Sequence, residues 1–275
     1  MIRFDALALA AAMAGASAGA ALAGEAPPEI KMAEVSVKDA KGWYVRGDLG
    51  YAVNASRSAT TLRTYDPAGG SYSSGRFDSN RFGGDFSGGL GVGYQFNDLF
   101  RADVTGDFFS DDFNGRISSD MPCSGGAGGT SCSTKARSSF RAGSLMVNGY
   151  VDLGTVAGLT PYVGAGLGAT RVSWSSVNAI GSCVDGISGC GGAASVSTRY
   201  AGDSDWRMTY ALMAGVAYEV APNVKVDLGY RFSHIAGGDM FGASAADSAA
   251  GAGTMGRDGA LSRHEIRIGL RITTW

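Results

Sequence analysis

The sequence predicts an all-β protein: an eight-stranded antiparallel up-and-down transmembrane β-barrel with short periplasmic turns and four long outer loops. Three observations support this prediction. The chain of 275 residues contains eight runs in which apolar and polar residues alternate. The connections between these runs are alternately short and long. The polar side of the runs carries charges of both signs in equal number.

The eight runs lie at roughly 43–54, 83–96, 99–109, 140–153, 160–173, 206–220, 223–235 and 262–275. The segment VKVDLGYRF at 224–232 shows the pattern, because its apolar residues alternate with Lys225, Asp227, Gly229 and Arg231. A period of two residues indicates a strand with two unlike faces. Each run has the roughly 9–11 residues that a tilted strand needs to cross a bilayer.

The lengths of the connections sort into two classes. The short connections are Asn97-Asp98 between runs two and three, GTVAGL between runs four and five, and APN between runs six and seven. The long connections are residues 55–82, 110–139, 174–205 and 236–261, and they are rich in Gly, Ser, Asp and Ala. Successive connections of an up-and-down sheet fall at opposite ends. All short connections therefore share one end with both termini, which is typical of outer-membrane barrels.

The polar face predicts an interior filled with paired charges, because an unpaired charge away from bulk water is costly. The alternative is a solvated charged face over a soluble core. The residues predicted to line the interior are Arg46, Asp48, Arg101, Asp103, Asp107, Arg207, Glu219, Lys225, Asp227, Arg231, Glu265, Arg267 and Arg271, joined by Asp85, Arg141 and Asp152. They comprise eight basic and eight acidic side chains.

The N-terminus predicts export. Arg3 precedes an Ala/Leu-rich stretch that ends in Ala21-Leu22-Ala23, a cleavage-site pattern. The alternative is a membrane anchor helix. We predict a signal peptide at 1–23, a periplasmic linker at 24–41 and the barrel domain at 42–275.

Four cysteines form two close pairs in the sequence, Cys123 with Cys132 and Cys183 with Cys190. Four cysteines allow three connectivities. We expect local pairing, since each pair brackets a Gly/Ser-rich stretch without a secondary-structure pattern. A zinc site would require tighter spacing and a reducing compartment.

Composition gives no sign of a nucleic-acid partner, because the formal net charge is −2 and the isoelectric point is near 5.7. The two histidines, His234 and His264, lie near Ser233, Ser262 and Glu265, which leaves a lipid-modifying site at the barrel rim as an alternative. No motif fixes the geometry of a nucleophile and a base. We therefore expect no enzymatic activity and no cofactor.

The motifs WYVRGDLGY, GVGYQFNDLFRADVTGDF, PYVGAGLGA and VAPNVKVDLGYRF resemble the small eight-stranded outer-membrane proteins of alphaproteobacteria, the opacity-protein/porin-like family. The resemblance covers nearly all of 42–275. It implies the outer membrane of a Gram-negative bacterium, outer-membrane lipid as surroundings and insertion by the barrel-assembly machinery. Members of that family usually end in an aromatic residue in phase with the lipid-facing positions, whereas Trp275 is out of phase with Ile266, Ile268, Leu270 and Ile272.

The expected function is that of a structural, surface-exposed barrel that supports envelope integrity and uses its loops to contact a host or environmental ligand. Eight strands enclose little more than their own side chains. The first alternative is a narrow porin-like channel for small solutes. The second is a rim lipid-modifying enzyme or, as the resemblance suggests, a haemin binder.

Overall fold

A computed structural model describes residues 41–57, 60–66, 71–82, 86–119, 131–184, 196–242 and 253–274. These residues form fifteen strands: β1 Gly42–Arg57, β2 Thr61–Asp66, β3 Ser71–Arg76, β4 Ser79–Phe82, β5 Phe86–Gln95, β6 Phe100–Ser119, β7 Ser131–Asp152, β8 Leu159–Trp174, β9 Val177–Val184, β10 Val196–Tyr200, β11 Ser204–Ala221, β12 Val224–Ile235, β13 Gly238–Phe241, β14 Gly253–Asp258 and β15 Leu261–Thr273. The predicted signal peptide, Asp85 and Trp275 lie outside the described residues.

The long strands pair in a continuous cycle. β1 pairs with β5, β5 with β6, β6 with β7, and β7 with β8. The cycle then runs through β11, β12 and β15 and returns to β1. All of these pairings are antiparallel, and each of the eight predicted runs overlaps one strand of the cycle. The prediction of an all-β antiparallel fold is confirmed.

Within the part of the chain that the structure describes, the four long connections contain further strands that the sequence analysis does not predict. β2, β3, β13 and β14 form a separate four-stranded sheet in the order β13-β14-β2-β3, while β4, β9 and β10 extend the main sheet. β6 and β7 also continue as a long hairpin to Ser119 and Ser131. These segments lack a sustained apolar alternation, although some of them contribute single apolar side chains, such as Val177 and Met240, to a buried cluster.

The two faces of the cycle differ as the sequence predicts. Its apolar side chains are solvent-exposed on the isolated chain, with exposed fractions of 67% for Leu49, 77% for Phe86 and 74% for Leu90. The charged side chains of the alternate positions are buried. This is the reverse of a soluble protein, and it is the arrangement that a lipid environment requires.

Glycine makes room on the buried face for large polar side chains. A Cβ atom at Gly215 or at Gly229 would lie only 2.7 Å from the hydroxyl oxygen of Tyr162. A Cβ atom at Gly93 would collide with the ring of Tyr44. The buried face therefore alternates very small with very large residues, which lets the side chains fill the enclosed space.

The short connections are tight turns. The side-chain oxygen of Asn97 accepts hydrogen bonds from the backbone N–H groups of Leu99 and Phe100, at 2.9 Å and 2.7 Å. In the turn between β7 and β8, Gly154 and Gly158 have φ of 95° and 81°, values that glycine adopts without strain. No helix in the described ranges is long and apolar enough to cross a membrane.

Candidate functional site

The buried face carries a network of ion pairs. Arg46 donates hydrogen bonds to both carboxylate oxygens of Asp48, at 2.7 Å and 2.9 Å, and to Asp103 at 3.1 Å. It also donates to the hydroxyl of Tyr150 at 3.0 Å, and Asn148 donates to Asp103 at 2.7 Å. One guanidinium thus links β1 to β6 and β7 across the enclosed space, because its planar fork serves two carboxylates at once.

A second cluster lies further from the short turns. Asp107 accepts hydrogen bonds from Arg231 at 2.8 Å and from Arg267, so one carboxylate bridges two guanidinium groups. Arg263 donates to Glu265 at 3.0 Å. Asp107, Arg231, Arg263 and Glu265 are all buried. Such pairs are costly to break, since the partner left behind keeps its charge without water around it.

A third cluster lies beside the short turns. Arg101 donates to Asp152 at 3.1 Å, and its guanidinium carbon lies 3.9 Å from the ring centre of Tyr150 and 4.8 Å from that of Tyr162. Arg271 donates to Asp227 at 3.3 Å. The aromatic faces add cation–π attraction to the ion pair. This end is therefore filled by stacked rings and guanidinium groups.

The predicted interior residues fall into three groups. Asp48, Arg101, Asp103, Asp107, Arg207, Asp227, Arg231, Glu265 and Arg271 are buried, as is Asp152. Arg46, Lys225 and Arg267 are half-buried. Two assignments are wrong: Glu219 is exposed, since it sits at a register shift beside the β11–β12 turn, and Arg141 is exposed on the opposite face of β7.

Among the residues that the structure describes, sequence reasoning missed three buried charged side chains, Asp111, Asp258 and Arg263. Arg263 lies on the same face of β15 as Glu265 and Arg267, so the alternation along this strand could have predicted its burial. Asp258 accepts a hydrogen bond at 2.7 Å from Arg207, which also donates to Asp205 at 2.7 Å. Because Asp258 ends β14, this contact ties the four-stranded sheet to β11.

Two small cavities lie between these side chains. A cavity of about 20 Å³ is lined by residues that include Arg46, Asp48, Tyr150 and Arg231. Another, of about 10 Å³, lies among Ser87, Asp107 and Glu265. A volume near 10–15 Å³ holds about one water molecule. These cavities around the ion pairs are therefore large enough for single water molecules but too small to let solute pass.

The end of the cycle away from the short turns contains an apolar core that sequence reasoning missed. Phe113, Phe140, Trp174, Ile235 and Met240 are among its buried members. The rings of Phe140 and Trp174 are 4.8 Å apart, and Phe113 meets Trp174 edge-on at 5.8 Å. β13 contributes Met240, so this core joins the extensions of the long strands to the segments between them.

The two histidines lie in the outward phase of their strands rather than in a cleft. The Nδ1 atom of His234 is 3.0 Å from the hydroxyl of Ser262, and its ring stacks on Tyr210. His264 is hydrogen-bonded to the hydroxyl of Tyr230. Among the described side chains, no carboxylate forms an ion pair with either histidine. In the described part of the chain the two histidines therefore contact hydroxyl groups, and neither is paired with the carboxylate that a catalytic triad requires.

Neither Cys132 nor Cys183 is a free thiol. They face each other in the register of β7 and β9. Cys123 and Cys190, their predicted partners, lie outside the described residues, so the local pairing stays a prediction. No group of three or more His, Cys, Asp or Glu residues in the described ranges could hold a metal ion.

The antiparallel cycle, its exposed apolar face and its buried ion pairs together define a class of protein: a β-barrel of the outer membrane. The family model "Outer membrane protein beta-barrel domain" matches residues 6–255, and the chain belongs to this family. The predicted resemblance and the predicted location in the outer membrane of a Gram-negative bacterium are thereby confirmed.

The chain is also similar to individual proteins and to a solved structure. An uncharacterized protein of Brucella abortus (strain 2308) is 33% identical over 249 residues, which cover 84% of each chain. A protein of Rickettsia bellii (strain RML369-C) named "Putative adhesin" is 30% identical over 149 residues, 53% of this chain and 57% of its own. The crystal structure of Neisserial surface protein A is similar over 85% of this chain and 97% of that chain, with 18% identity and a TM-score of 0.42.

Proposed function

We propose that the eight strands of the cycle close into a transmembrane barrel with a filled interior, and that the protein supports envelope integrity and contacts its surroundings through its outer end. The observation that supports this proposal is that paired charged side chains fill the interior of the barrel. The ion pairs of Arg46, Arg101 and Asp107 span the enclosed space, and the cavities beside them have the size of single waters. The function therefore lies in contacts made by the outer end of the barrel and not in transport through its interior.

The proposed orientation places the short turns and both termini in the periplasm and the four long connections outside the cell. The signal peptide at 1–23 and the linker at 24–41 fit this direction of export. The predicted disulfides, Cys123–Cys132 and Cys183–Cys190, would then lie in the outer connections, where the oxidising environment maintains them. Insertion by the barrel-assembly machinery belongs to the same proposal.

The outer connections are suited to external contacts because packing and ion pairs hold them in place. The apolar core around Phe140 and Trp174 packs against them, and the ion pair between Arg207 and Asp258 holds the four-stranded sheet against β11. Segments held on a rigid scaffold are where binding tends to reside. The name of the Rickettsia relative suggests that such contacts include adhesion to a host or environmental ligand.

The same contacts argue against the alternatives. A narrow channel would require a continuous path past Arg46 and Asp107, both of which are held by carboxylate–guanidinium pairs. A rim enzyme would require an acid to orient His234 or His264. We propose that the protein is not an enzyme and carries no haemin.

Two tagged variants test the orientation. An epitope inserted within 243–252, between β13 and β14, should bind antibody on intact cells, because that connection is proposed to be outside. The matched control carries the same epitope at Pro222-Asn223, between β11 and β12, and should bind only after the outer membrane is permeabilised. Labelling of the control on intact cells would overturn the proposed orientation.

A further inference from the structure

One side of the outer half of the sheet is strongly basic. Strands β6 to β10 place six exposed basic side chains on their outward face, and we call this set the basic face: Arg116, Lys135, Arg137, Arg141, Arg171 and Arg199. Asp112 is the one exposed acidic side chain on the described parts of these strands. The whole chain has a formal net charge of −2. The excess of positive charge is therefore local.

Strand register brings these side chains together. Lys135 lies directly opposite Arg116 across β6 and β7. Arg137 and Arg199 both pair with Asn178, one from each side of β9. Residues that pair in register project from the same face of a sheet and lie about 5 Å from their partner. The positive charges thus lie on one face of the sheet, which extends from β6 to β10.

Arg141 and Arg171 are the members of the basic face that belong to the lipid-facing surface. Arg171 pairs with Gly143, two residues along β7 from Arg141, so the two arginines are diagonal neighbours. On its other side Arg171 pairs with Trp206, which is 63% exposed. Leu145, further along the outward row of β7 from Arg141, is exposed as well. Arg141 and Arg171 therefore sit where the apolar belt of the barrel ends.

None of the six side chains forms an ion pair within the described part of the chain. Two of them donate hydrogen bonds to hydroxyl groups instead: Arg171 to Ser204 at 3.5 Å and Arg199 to Ser176 at 3.2 Å. Like charges placed directly opposite each other, as Arg116 and Lys135 are, destabilise a sheet. An anionic partner would remove that repulsion.

We propose that the basic face binds the phosphate-bearing headgroup of lipopolysaccharide in the outer leaflet. Arg141 and Arg171 hold the phosphates at the boundary of the apolar belt, and Arg137, Lys135, Arg116 and Arg199 contact the anionic sugars above it. This inference rests on the proposed orientation, which puts these strand ends at the outer leaflet. Anionic headgroups attract basic residues beside a membrane by about 1 kcal/mol per charge.

A lipid fits this surface better than a soluble polyanion. The basic face is on the side of the barrel, and its lowest members are flanked by Trp206 and Leu145, whose exposed apolar surface would contact acyl chains. Tryptophan at this level is typical of the membrane interface. A soluble polymer would reach only the upper residues, above the lipid.

Binding to purified lipopolysaccharide tests the proposal. Full-length protein refolded in non-ionic detergent is titrated with lipopolysaccharide in the same micelles and followed by microscale thermophoresis. The double variant Arg141→Gln with Arg171→Gln should bind about 30-fold more weakly than wild type, since two headgroup contacts are lost. The control, Arg76→Gln with Arg257→Gln, removes two exposed charges from the four-stranded sheet and should bind as wild type does.

Two further ligands separate the outcomes. Dephosphorylated lipopolysaccharide should bind weakly to wild type and to both variants. Heparin, a soluble polyanion, should bind no more tightly than dephosphorylated lipopolysaccharide. Equal affinity of wild type and the Arg141/Arg171 variant for lipopolysaccharide would overturn the proposal, and so would a preference for heparin.

Failure of the proposed function would look different. Insertion of the same preparations into vesicles is checked by flotation, and their fold by the far-ultraviolet signal of β-structure. Protein that does not float with vesicles contradicts the barrel itself. Protein that floats and is folded but does not distinguish phosphorylated lipid contradicts only the headgroup site.

Discussion

Replacement of Asp107 with Asn is expected to lower the free energy of unfolding by about 3–5 kcal/mol, the cost of breaking a buried ion pair. Asp107 is buried and accepts hydrogen bonds from Arg231 and Arg267 on two other strands. The amide of Asn keeps the shape but not the charge. Two guanidinium groups would then remain buried without their shared carboxylate.

Urea titration of the vesicle-inserted protein, followed by intrinsic fluorescence and far-ultraviolet circular dichroism, measures this loss. The matched control is Asp112→Asn on the same strand, because Asp112 is exposed and forms no ion pair with a described residue. The control should change the free energy of unfolding by less than about 0.5 kcal/mol. If both substitutions had the same small effect, the buried pairs would not hold the interior together.

Replacement of Phe140 with Ala is expected to cost about 3–5 kcal/mol in the outer apolar core, as large-to-small substitutions of buried aromatic residues do. The ring is fully buried and packs between Trp174 at 4.8 Å and Phe109 at 6.1 Å. The loss should be confined to the outer end, because the ion pairs of Arg46 and Arg101 lie elsewhere in the barrel.

Limited proteolysis of the vesicle-inserted variant measures the local effect. Cleavage within 110–139 and 174–205 should become faster, whereas the strands within the bilayer stay protected. Phe108→Ala is the control, since Phe108 is 69% exposed on the outward face of the adjacent strand. Unchanged cleavage in the Phe140 variant would show that the apolar core does not support the outer connections.

The strands within the membrane could be predicted because lipid and ion pairs impose opposite requirements on alternate residues. On β1, Val45 and Leu49 are exposed while Asp48 is buried, and the sequence alternates accordingly.

Strand β7 does not show this alternation. Its buried positions include Met146 and Tyr150 and its exposed positions include Leu145, so both faces are apolar and the alternation that would have placed Arg141 outside is missing.

The outer end could not be predicted in the same way. The strands β9, β10, β13 and β14 have only four to eight residues each, too few to show a sustained alternation of apolar and polar residues. The apolar core brings together Phe113, Phe140, Trp174 and Met240 from separate strands. No single run of sequence contains that cluster. Its members become neighbours only in the folded chain, where β6, β7, β8 and β13 meet.

The central claim is that the barrel interior is filled and that function lies outside it. Single-channel conductance of the refolded protein in a planar lipid bilayer tests this claim most directly, with insertion established by protease protection of the same preparation. We expect a silent bilayer, because the pairs of Arg46, Arg101 and Asp107 leave space for single waters. Discrete, reproducible conductance steps that change on substitution of Arg101 and Arg231 with Ala would contradict the account and establish a channel.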